Sequence, residues 1–505
     1  MPKLMKYWLG IDIGTSGLKA LALDEAGKVA GSALVEYGMD TPYPGWAEQD
    51  PSQWWKALGI AIKKLKKQVP RLSERLAGIG LTGQMHSSVF LDKDNQVIRP
   101  AILWCDQRTA KETKEITEKL GFDTLVQLTL NRALTGFTLP KLLWLKNNQP
   151  NNYKKLKKLL VCKDYIRFLL TSEFATEVSD ASGTLMFDVK NRVWSKELIE
   201  KLEIDQKILP ECYESPEITG ELTQSSAQQL GFKPGVPVVG GGGDQPAGAV
   251  GNGIVEEGLV LISIGTSGVV FSAHQQPLFD PNARLHSFCH SAPGLWQSMG
   301  VMLSAGGSLR WLREVLRRMK PKIDYPEMIK FAKKTLPGAE GLFFLPYLTG
   351  ERTPHFDPYA RGVFFGISLK TELGHLVRAV IEGVSYGLKD SVEIMKEAGV
   401  KIENFYLSGG GAKSQFWAQL LSDLLDAKLY RLKVDEGPSF GSALLAMVGT
   451  GRFKNLKQAT KETLQLKDSF EPNPDRSARY QELYQFSKTL YPALKQRFSQ
   501  LKNLT

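Results

Sequence analysis

The chain has 505 residues, of which 42% are hydrophobic and 23% are charged. This balance is that of an ordinary globular protein. No apolar run approaches the roughly 20 residues that a membrane-spanning helix needs, and residues 1–7 lack the apolar core and cleavage site of a signal peptide. We therefore expect a cytoplasmic protein that neither crosses nor acts on a membrane.

The formal net charge of +11 raises the question of nucleic-acid binding. The basic residues, however, fall in three segments with helical character: 63–67, 154–158 and 310–318. In the last segment Leu309, Leu312, Val315, Leu316 and Met319 form a stripe of period 3.6, which leaves the arginines on the outer face of an amphipathic helix. A solvated basic surface, and no nucleic-acid partner, is the expectation.

The four cysteines are widely spaced and form no Cys-x-x-Cys pair, which indicates reduced thiols and no zinc framework: Cys105, Cys162, Cys212 and Cys289. His286 and His290 have the i, i+4 spacing that suits a metal on a helix. The residues between them favour a strand, and no third ligand is near in sequence, so we predict no metal there.

The predicted elements begin with a strand, a tight turn and a second strand over residues 8–23. After a Pro-rich loop, Asp50 and Pro51 mark the first positions of a helix that ends near Lys67. Residues 76–82 are predicted to form a buried strand. Strands at 89–92 and 101–104 follow, and residues 109–171 are mainly helical.

A short apolar strand at 236–239 runs into four glycines and then Asp244 and Gln245. The strand–turn–strand unit then recurs, because Ile13-Gly14-Thr15-Ser16-Gly17 is repeated letter for letter at residues 264–268. A helix from about Ser304 follows. The remaining predicted elements are a Gly/Pro-rich region at 346–366, a helix at 372–397, a strand at 405–408, a helix at 415–425 and a polar helical segment from Asn455.

Strands that alternate with long helices predict an α/β fold. The repeat places one turn near the start of each half, which predicts a duplicated architecture. We expect a first domain over 1–253, a second over 254–450 and a helical extension over 451–505.

Each repeated turn presents backbone N–H groups and two hydroxyls, a donor cluster that suits phosphate oxygens. Two such turns predict a nucleotide held in a cleft between the halves, with the glycine-rich segment after residue 408 as an adenosine site. The candidate ATP-binding residues are Gly14, Thr15, Ser16, Gly265, Thr266, Ser267, Gly306, Gly307, Gly410, Gly411 and Ser414.

Two carboxylates are the candidate catalytic and metal-binding residues. Asp12 precedes the first turn at the end of a buried strand, where it is suited to holding Mg²⁺, and the second turn has Ser263 at the matching position. Asp244 is delivered by a strand and surrounded by glycines that leave room for a ligand. A carboxylate so placed can accept a proton from a substrate hydroxyl that attacks phosphorus.

The candidate substrate-binding residues combine amide, imidazole and apolar groups, a combination suited to a polyol. Gln84, Met85 and His86 end a buried strand in the same half as Asp244. Trp104 ends another strand, and Gln245 follows Asp244 directly.

With these residues in place, the chain resembles the FGGY carbohydrate kinases, from Trp8 to about Phe453. The two family signatures are matched at residues 136–145 and 362–382. Residues 83–86, 101–109 and 179–184 resemble the branch of the family that phosphorylates D-xylulose. The resemblance implies two actin-like, ribonuclease-H-like domains flanking an ATP cleft.

The resemblance also implies roles for single residues and for partners. Asp244 looks like the catalytic base, Met85 and His86 like sugar contacts, and Asp12 like the carboxylate near Mg²⁺. The expected activity is ATP- and Mg²⁺-dependent phosphorylation of a primary hydroxyl of a ketopentose, D-xylulose to D-xylulose 5-phosphate. The expected partners are the sugar and ATP, with a homodimer as a further expectation.

Two departures from the family pattern keep other substrates open. Ser87 stands where the family often has Gly, and Gln245 where it often has Asn. The alternatives are a gluconokinase, a ribulokinase or a glycerol kinase-like enzyme. An actin-like ATP switch without sugar chemistry is the alternative outside the kinases, but it has no use for an Asp beside a polyol pocket.

Overall fold

The computed structural model describes residues 5–433 and 436–501. Within these ranges each half of the chain forms a seven-stranded sheet, and four smaller sheets accompany them. The predicted α/β class is therefore confirmed. No helix in the described ranges is both long enough and apolar enough to cross a bilayer.

The first half contains fifteen strands and eleven α-helices. Its strands are β1 (Tyr7–Ile13), β2 (Gly17–Asp24), β3 (Val29–Glu36), β4 (Glu48–Gln49), β5 (Leu76–Gly83), β6 (Ser88–Leu91), β7 (Ala101–Ile102), β8 (Lys158–Val161), β9 (Ala175–Glu177), β10 (Phe187–Asp188), β11 (Val193–Trp194), β12 (Glu211–Tyr213), β13 (Ile218–Glu221), β14 (Pro237–Val239) and β15 (Gly242–Gly243). Its helices are α1 (Pro51–Gln68), α2 (Leu72–Arg75), α3 (Ala110–Leu120), α4 (Phe122–Thr129), α5 (Thr138–Asn148), α6 (Pro150–Lys155), α7 (Cys162–Thr171), α8 (Val178–Ser182), α9 (Lys196–Lys201), α10 (Gln224–Leu230) and α11 (Asp244–Gly251).

The second half adds nine strands and seven α-helices in its described part. Its strands are β16 (Gly258–Ile264), β17 (Gly268–His274), β18 (His286–Cys289), β19 (Trp296–Met302), β20 (Phe343–Leu345), β21 (Val363–Phe365), β22 (Ile402–Ser408), β23 (Leu429–Leu432) and β24 (Leu466–Phe470). Its helices are α12 (Gly306–Arg317), α13 (Tyr325–Lys334), α14 (Leu373–Glu397), α15 (Gln415–Leu425), α16 (Pro438–Gly449), α17 (Leu456–Thr463) and α18 (Pro474–Leu501).

The two large sheets share one topology, so the repeat extends far beyond the turns. The first sheet has the order β13-β14-β5-β1-β2-β3, with β15 beside β5, and the second has β18-β19-β17-β16-β22-β23-β24. In both, three consecutive antiparallel strands are followed by two parallel ones, namely β3-β2-β1-β5-β14 and β19-β17-β16-β22-β23. Each half therefore repeats the same sheet.

Local signals set the ends of the elements that carry the sites. Asp50 caps α1 by accepting from the Ser52 N–H at 2.9 Å, and Pro51 occupies the first turn, where its missing N–H costs no hydrogen bond. Glu372 and His375 form a capping box at the start of α14: the Glu372 side chain accepts from the His375 N–H, and His375 Nδ1 accepts from the Glu372 N–H at 2.9 Å. Both helix starts were predicted and are confirmed.

Helix α16 belongs to the second half of the chain but packs against β1 and β5 of the first sheet and against α11. Its side chains are apolar on almost all sides, as a helix buried between layers requires. Glycines allow the contact: a Cβ on Gly10 would lie 1.8 Å from the Ser439 carbonyl oxygen, and one on Gly80 would lie 1.9 Å from that of Ser442. The two halves are thus joined through backbone-to-backbone contact.

Two expectations about helices need correction. The segment from Asn455 is not wholly helical, because β24 (Leu466–Phe470) pairs antiparallel with β23 and forms an edge of the second sheet. The apolar stripe on α12 also has fewer buried residues than predicted. Leu309, Leu312 and Leu316 are buried, whereas Val315 and Met319 are exposed, since they lie at the margin of the face that contacts the core.

Candidate active site

Two carboxylates lie near each other where neighbouring parallel strands of the first sheet end. Strands β1 and β15 flank β5, and Asp12 and Gly242 both pair with Thr82 of β5. Asp244 follows β15 directly as the first residue of α11. Because parallel strands end at the same edge of a sheet, this register brings Asp12, the residues after β5 and Asp244 to one place.

The two carboxyl groups are unusually basic. Burial, followed by the charge of Asp244, raises the pKa of Asp12 to about 7, although Lys19 opposes the shift. Burial raises the pKa of Asp244 to about 6 against hydrogen bonds from Gln245 that lower it. Perturbed carboxyl groups in a polar cluster are typical of catalytic sites.

Met85 and His86 form a wall next to Asp244. A Cβ on Gly243 would lie 2.7 Å from Met85 Cγ, and one on Gly183 would lie 2.8 Å from His86 Cε1, so both glycines make room for these side chains. His86 Nδ1 donates to the Gly183 carbonyl at 2.7 Å, and burial holds the pKa of His86 well below its usual range. The imidazole is therefore neutral, with Nε2 as the acceptor.

Sequence reasoning missed Lys141, whose ammonium group binds the backbone carbonyl of His86. His86 has a φ of 67°, a left-handed backbone conformation that is rare outside glycine. The fully buried Lys141 donates from Nζ to the carbonyl oxygens of His86 at 2.8 Å and Gly136 at 2.7 Å, and Thr138 donates to the same His86 oxygen. Burial lowers the pKa of Lys141 to about 7.

The first turn is connected to the sugar-side residues by a chain of hydrogen bonds. The Thr15 hydroxyl donates to Gln84 Oε1 at 3.2 Å and accepts from Trp104 Nε1 at 2.9 Å. Gln49, also missed by sequence reasoning, is buried and donates to the Thr15 carbonyl while accepting from Gln84 Nε2 at 2.9 Å. In the same turn, Tyr37 donates to the carbonyls of Gly14 and Ser16.

A cavity of about 750 Å³ lies in the second half and is lined by most of the predicted nucleotide residues of that half. Thr266 of the second turn, the start of α12 and the glycines after β22 meet there. The predicted residues that line it are Gly265, Thr266, Gly306, Gly307, Gly410, Gly411 and Ser414. Ser267 does not line it.

Other residues that line the same cavity could not be assigned from sequence, because nothing local marks them. Arg310 and Lys333 bring positive charge, while Tyr325, Ile329 and Phe416 supply apolar surface. Arg310 was predicted on the outer face of its helix, and that face borders this cavity. A deep pocket with apolar walls and a few cationic and backbone groups suits a nucleotide.

The donor set at Asp12 fits a hard divalent cation. Asp12 Oδ1 is buried and has no hydrogen-bond partner, and the carboxylate of Asp244 acts on it more strongly than the opposing charge of Lys19. The described residues contain no group of three or more His, Cys, Asp or Glu that could hold a metal, so phosphate oxygens and water would supply the other ligands. His286 lies in strand β18, as expected.

The chain matches two family models: the FGGY family of carbohydrate kinases, N-terminal domain, over residues 7–251, and the C-terminal domain over residues 260–450. It is 42% identical over 489 residues to a xylulose kinase of Lactococcus lactis, which covers 96% of this chain and 97% of that protein. It is 40% identical to a xylulose kinase of Escherichia coli, with 96% and 99% covered.

Among solved structures, a xyloylose kinase from Brucella ovis superposes with a TM-score of 0.91 at 36% identity, covering 97% of this chain and 99% of that one. The predicted fold of two actin-like domains and the predicted resemblance are confirmed by these matches. The chain belongs to the FGGY family of carbohydrate kinases.

Proposed function

We propose that this kinase transfers the γ-phosphoryl group of ATP to the primary hydroxyl of D-xylulose, giving D-xylulose 5-phosphate and ADP. The observation that carries the proposal is the pair Asp12 and Asp244 at one sheet edge, beside the wall formed by Met85 and His86. The substrate named for the relatives from Lactococcus lactis and Escherichia coli supports the choice of sugar.

Asp244 is proposed as the general base. Its pKa of about 6 leaves it largely ionised at neutral pH and still basic enough to take a proton. As the sugar oxygen forms its bond to the γ-phosphorus, the hydroxyl proton passes to an Asp244 oxygen. The bond between the γ-phosphorus and the β,γ-bridging oxygen breaks, and ADP leaves with that oxygen.

The sugar is proposed to lie against His86 and Met85. With Nδ1–H committed to the Gly183 carbonyl, His86 Nε2 accepts a hydrogen bond from a sugar hydroxyl. Gln84, Trp104 and Gln245 are the further proposed contacts. The Met85 thioether provides an apolar surface for the carbon chain.

The nucleotide is proposed to occupy the cavity of the second half, with Thr266 on the phosphates and Gly410 and Gly411 against the adenosine. The first turn, with Gly14, Thr15 and Ser16, is proposed to meet the terminal phosphate. Asp12, with Asp244 beside it, would hold Mg²⁺, which when bound neutralises phosphate charge. Ser267 does not line the cavity, but it is still proposed as a phosphate contact because it lies in the second turn.

The primary test combines a substrate panel with one variant. ADP release measured with xylulose, ribulose, gluconate and glycerol should give the highest kcat/KM for xylulose. Preference for another polyol would reassign the sugar and leave the kinase chemistry intact. Asp244→Asn should lower kcat at least ~100-fold while calorimetric sugar affinity persists, because the amide keeps the shape but accepts no proton.

The pH dependence tests the same assignment. Since Asp244 must be ionised to act, kcat/KM should fall as the pH drops through about 6. A folded Asp244→Asn protein that binds sugar and keeps more than about a tenth of the turnover would refute the base assignment.

His86→Ala tests the sugar contact separately. It should raise KM for the sugar about tenfold and leave KM for ATP nearly unchanged, because His86 lies only on the sugar side. Equal changes in both constants would contradict that role.

A further inference from the structure

The short helix α8 connects three parts of the site that are far apart in sequence. Ser179 Oγ accepts from the Gly243 N–H at 3.0 Å, directly before Asp244. The Gly183 carbonyl at the end of α8 accepts from His86. From the second half, the Cys289 N–H donates to Ser182 Oγ at 3.1 Å. This one helical turn thus contacts three parts: strand β15, which directly precedes the proposed base, the wall formed by Met85 and His86, and the second half of the chain.

Strand β15 has no side chain by which it could be held in place. Both of its residues are glycines, and the space beside them is already filled. A Cβ on Gly242 would lie 2.3 Å from Ser291 Oγ, and one on Gly243 would lie 2.7 Å from Met85 Cγ. The position of β15 therefore depends on backbone hydrogen bonds, of which the sheet pairing with β5 supplies one side and Ser179 the other.

The orientation of the Ser179 hydroxyl is determined by a buried carboxylate. Ser179 Oγ donates its single hydrogen to Glu177 Oε1 at 2.8 Å, so its lone pairs are left to accept from Gly243. Ser291 of the second half also donates to Ser179 Oγ, at 3.2 Å. Ser179 and Glu177 are both fully buried, which strengthens these bonds and makes each unpaired group costly.

Glu177 is itself fixed from several directions. Its carboxylate accepts from the backbone N–H groups of Ser179 and Asp180 and from Ser215 Oγ at 2.6 Å. Lys163 Nζ lies 3.4 Å from it and also contacts Asp180 at 3.3 Å. Within this buried ionic cluster, Ser179 is the residue whose side chain binds the backbone directly before Asp244.

We propose that Ser179 is a positioning residue that holds Asp244 in its productive place by capturing the Gly243 N–H. The inference rests on the proposed role of Asp244 as the base. Proton transfer requires the base within hydrogen-bond reach of the hydroxyl, and a displacement of about 1 Å can cost up to 100-fold in rate. Ser179 therefore acts on kcat and not on sugar affinity.

Ser215 offers a matched control. Ser179→Ala and Ser215→Ala each delete one fully buried hydroxyl that donates to Glu177, but only Ser179 contacts Gly243. Ser179→Ala should lower kcat about tenfold with calorimetric sugar affinity within twofold of the unchanged protein. Ser215→Ala should keep kcat within twofold, even if the two variants lose similar thermal stability. Ser179→Cys retains a weak acceptor and should give an intermediate kcat.

A double-mutant cycle with Asp244→Asn separates the two proposals. In the Asp244→Asn background, Ser179→Ala should change kcat less than twofold, since the residue it positions is already inactive. A full tenfold loss there, or equal losses for Ser179→Ala and Ser215→Ala, would overturn the inference while Asp244 remains the base. High activity of Asp244→Asn alone would overturn both proposals.

Discussion

The two repeated Gly-Thr-Ser turns have the same sequence but close differently. Gly14 donates to the carbonyl of Gly17, three residues on, whereas Gly265 donates to the carbonyl of Ser267, two residues on, both at 3.0 Å. Their surroundings differ. The Thr15 hydroxyl is hydrogen-bonded to Gln84 and Trp104, which follow β5 and β7 on the sugar side. Thr266 instead borders the large cavity, and its carbonyl accepts the N–H groups of Ala305 and Gly307.

This difference teaches that the turn sequence alone determines neither the backbone closure nor the task, and that the residues that meet each turn determine its task. After β5 come Gln84, Met85 and His86, and they connect the first turn to the sugar wall. After β19 comes the glycine-rich start of α12, which leaves the second turn open to a ligand. The residue before the repeated sequence also differs: it is Asp12 in the first half and Ser263 in the second.

The largest expected effect comes from that preceding residue. Asp12→Asn should lower kcat roughly 100-fold and raise the Mg²⁺ concentration needed for half-maximal rate, because a preorganised carboxylate at the phosphates is lost. Steady-state kinetics over a Mg²⁺ series would measure both quantities.

Ser263→Ala is the control at the equivalent position of the second turn and should stay within threefold of the unchanged kcat. An Asp12→Asn protein with an unaltered Mg²⁺ response would show that the two turns do not differ in metal binding.

The next effect separates the two threonines. Thr266→Val keeps the shape and removes the hydroxyl, so KM for ATP should rise about tenfold while sugar affinity is unchanged. Thr15→Val removes the bonds to Gln84 and Trp104 as well as the proposed contact with the terminal phosphate, so it should raise KM for the sugar by a similar factor in addition to weakening ATP use.

Kinetics with each substrate varied in turn, together with sugar calorimetry, would check this split. Should Thr266→Val lose sugar affinity while its ATP kinetics stay normal, the assignment of the two turns would have to be reversed.

The third expected effect is on stability and not on kinetics. The pKa of Asp12 is raised from 3.8 to about 7 on folding, so the folded protein binds this proton more tightly than the unfolded chain does. Stability is therefore lost as the pH rises from about 4 to 7, by up to about 4 kcal/mol at 1.36 kcal/mol per pKa unit.

Asp12→Asn removes that charge and should raise the apparent Tm by several degrees at pH 8, with the gain fading towards pH 4. Thermal unfolding at the two pH values, with Ser263→Ala alongside, measures the effect. A uniform gain at both pH values would point to packing instead of charge.

Features encoded by neighbouring residues could be predicted. The Asp50 cap of α1, the helix at Gln415–Leu425 and both strand–turn–strand units agree with the structure because local propensity and periodicity determine them. The catalytic candidates Asp12 and Asp244 also carry local signals, namely a strand end followed by small residues.

Features that depend on distant contacts could not be predicted. Nothing local distinguishes the roles of Lys141 in α5 and Gln49 in β4, and only the fold shows that they reach His86 and Thr15. Strand β24 (Leu466–Phe470) has no alternating apolar pattern because it lies at an exposed edge, so nothing distinguished it from a polar helix. In these cases the structure depends on contacts between residues that are far apart in sequence, so no local pattern indicates it.

Helix α16 has a consequence for the order in which the molecule assembles during synthesis. The face of β1 and β5 that this helix covers is made first, while the helix itself follows about 350 residues later in the sequence. The nascent first half must therefore leave the ribosome with an apolar sheet face uncovered. Such a face is a target for chaperones and a hazard for aggregation. Native closure of the first half has to wait until α16 has been translated.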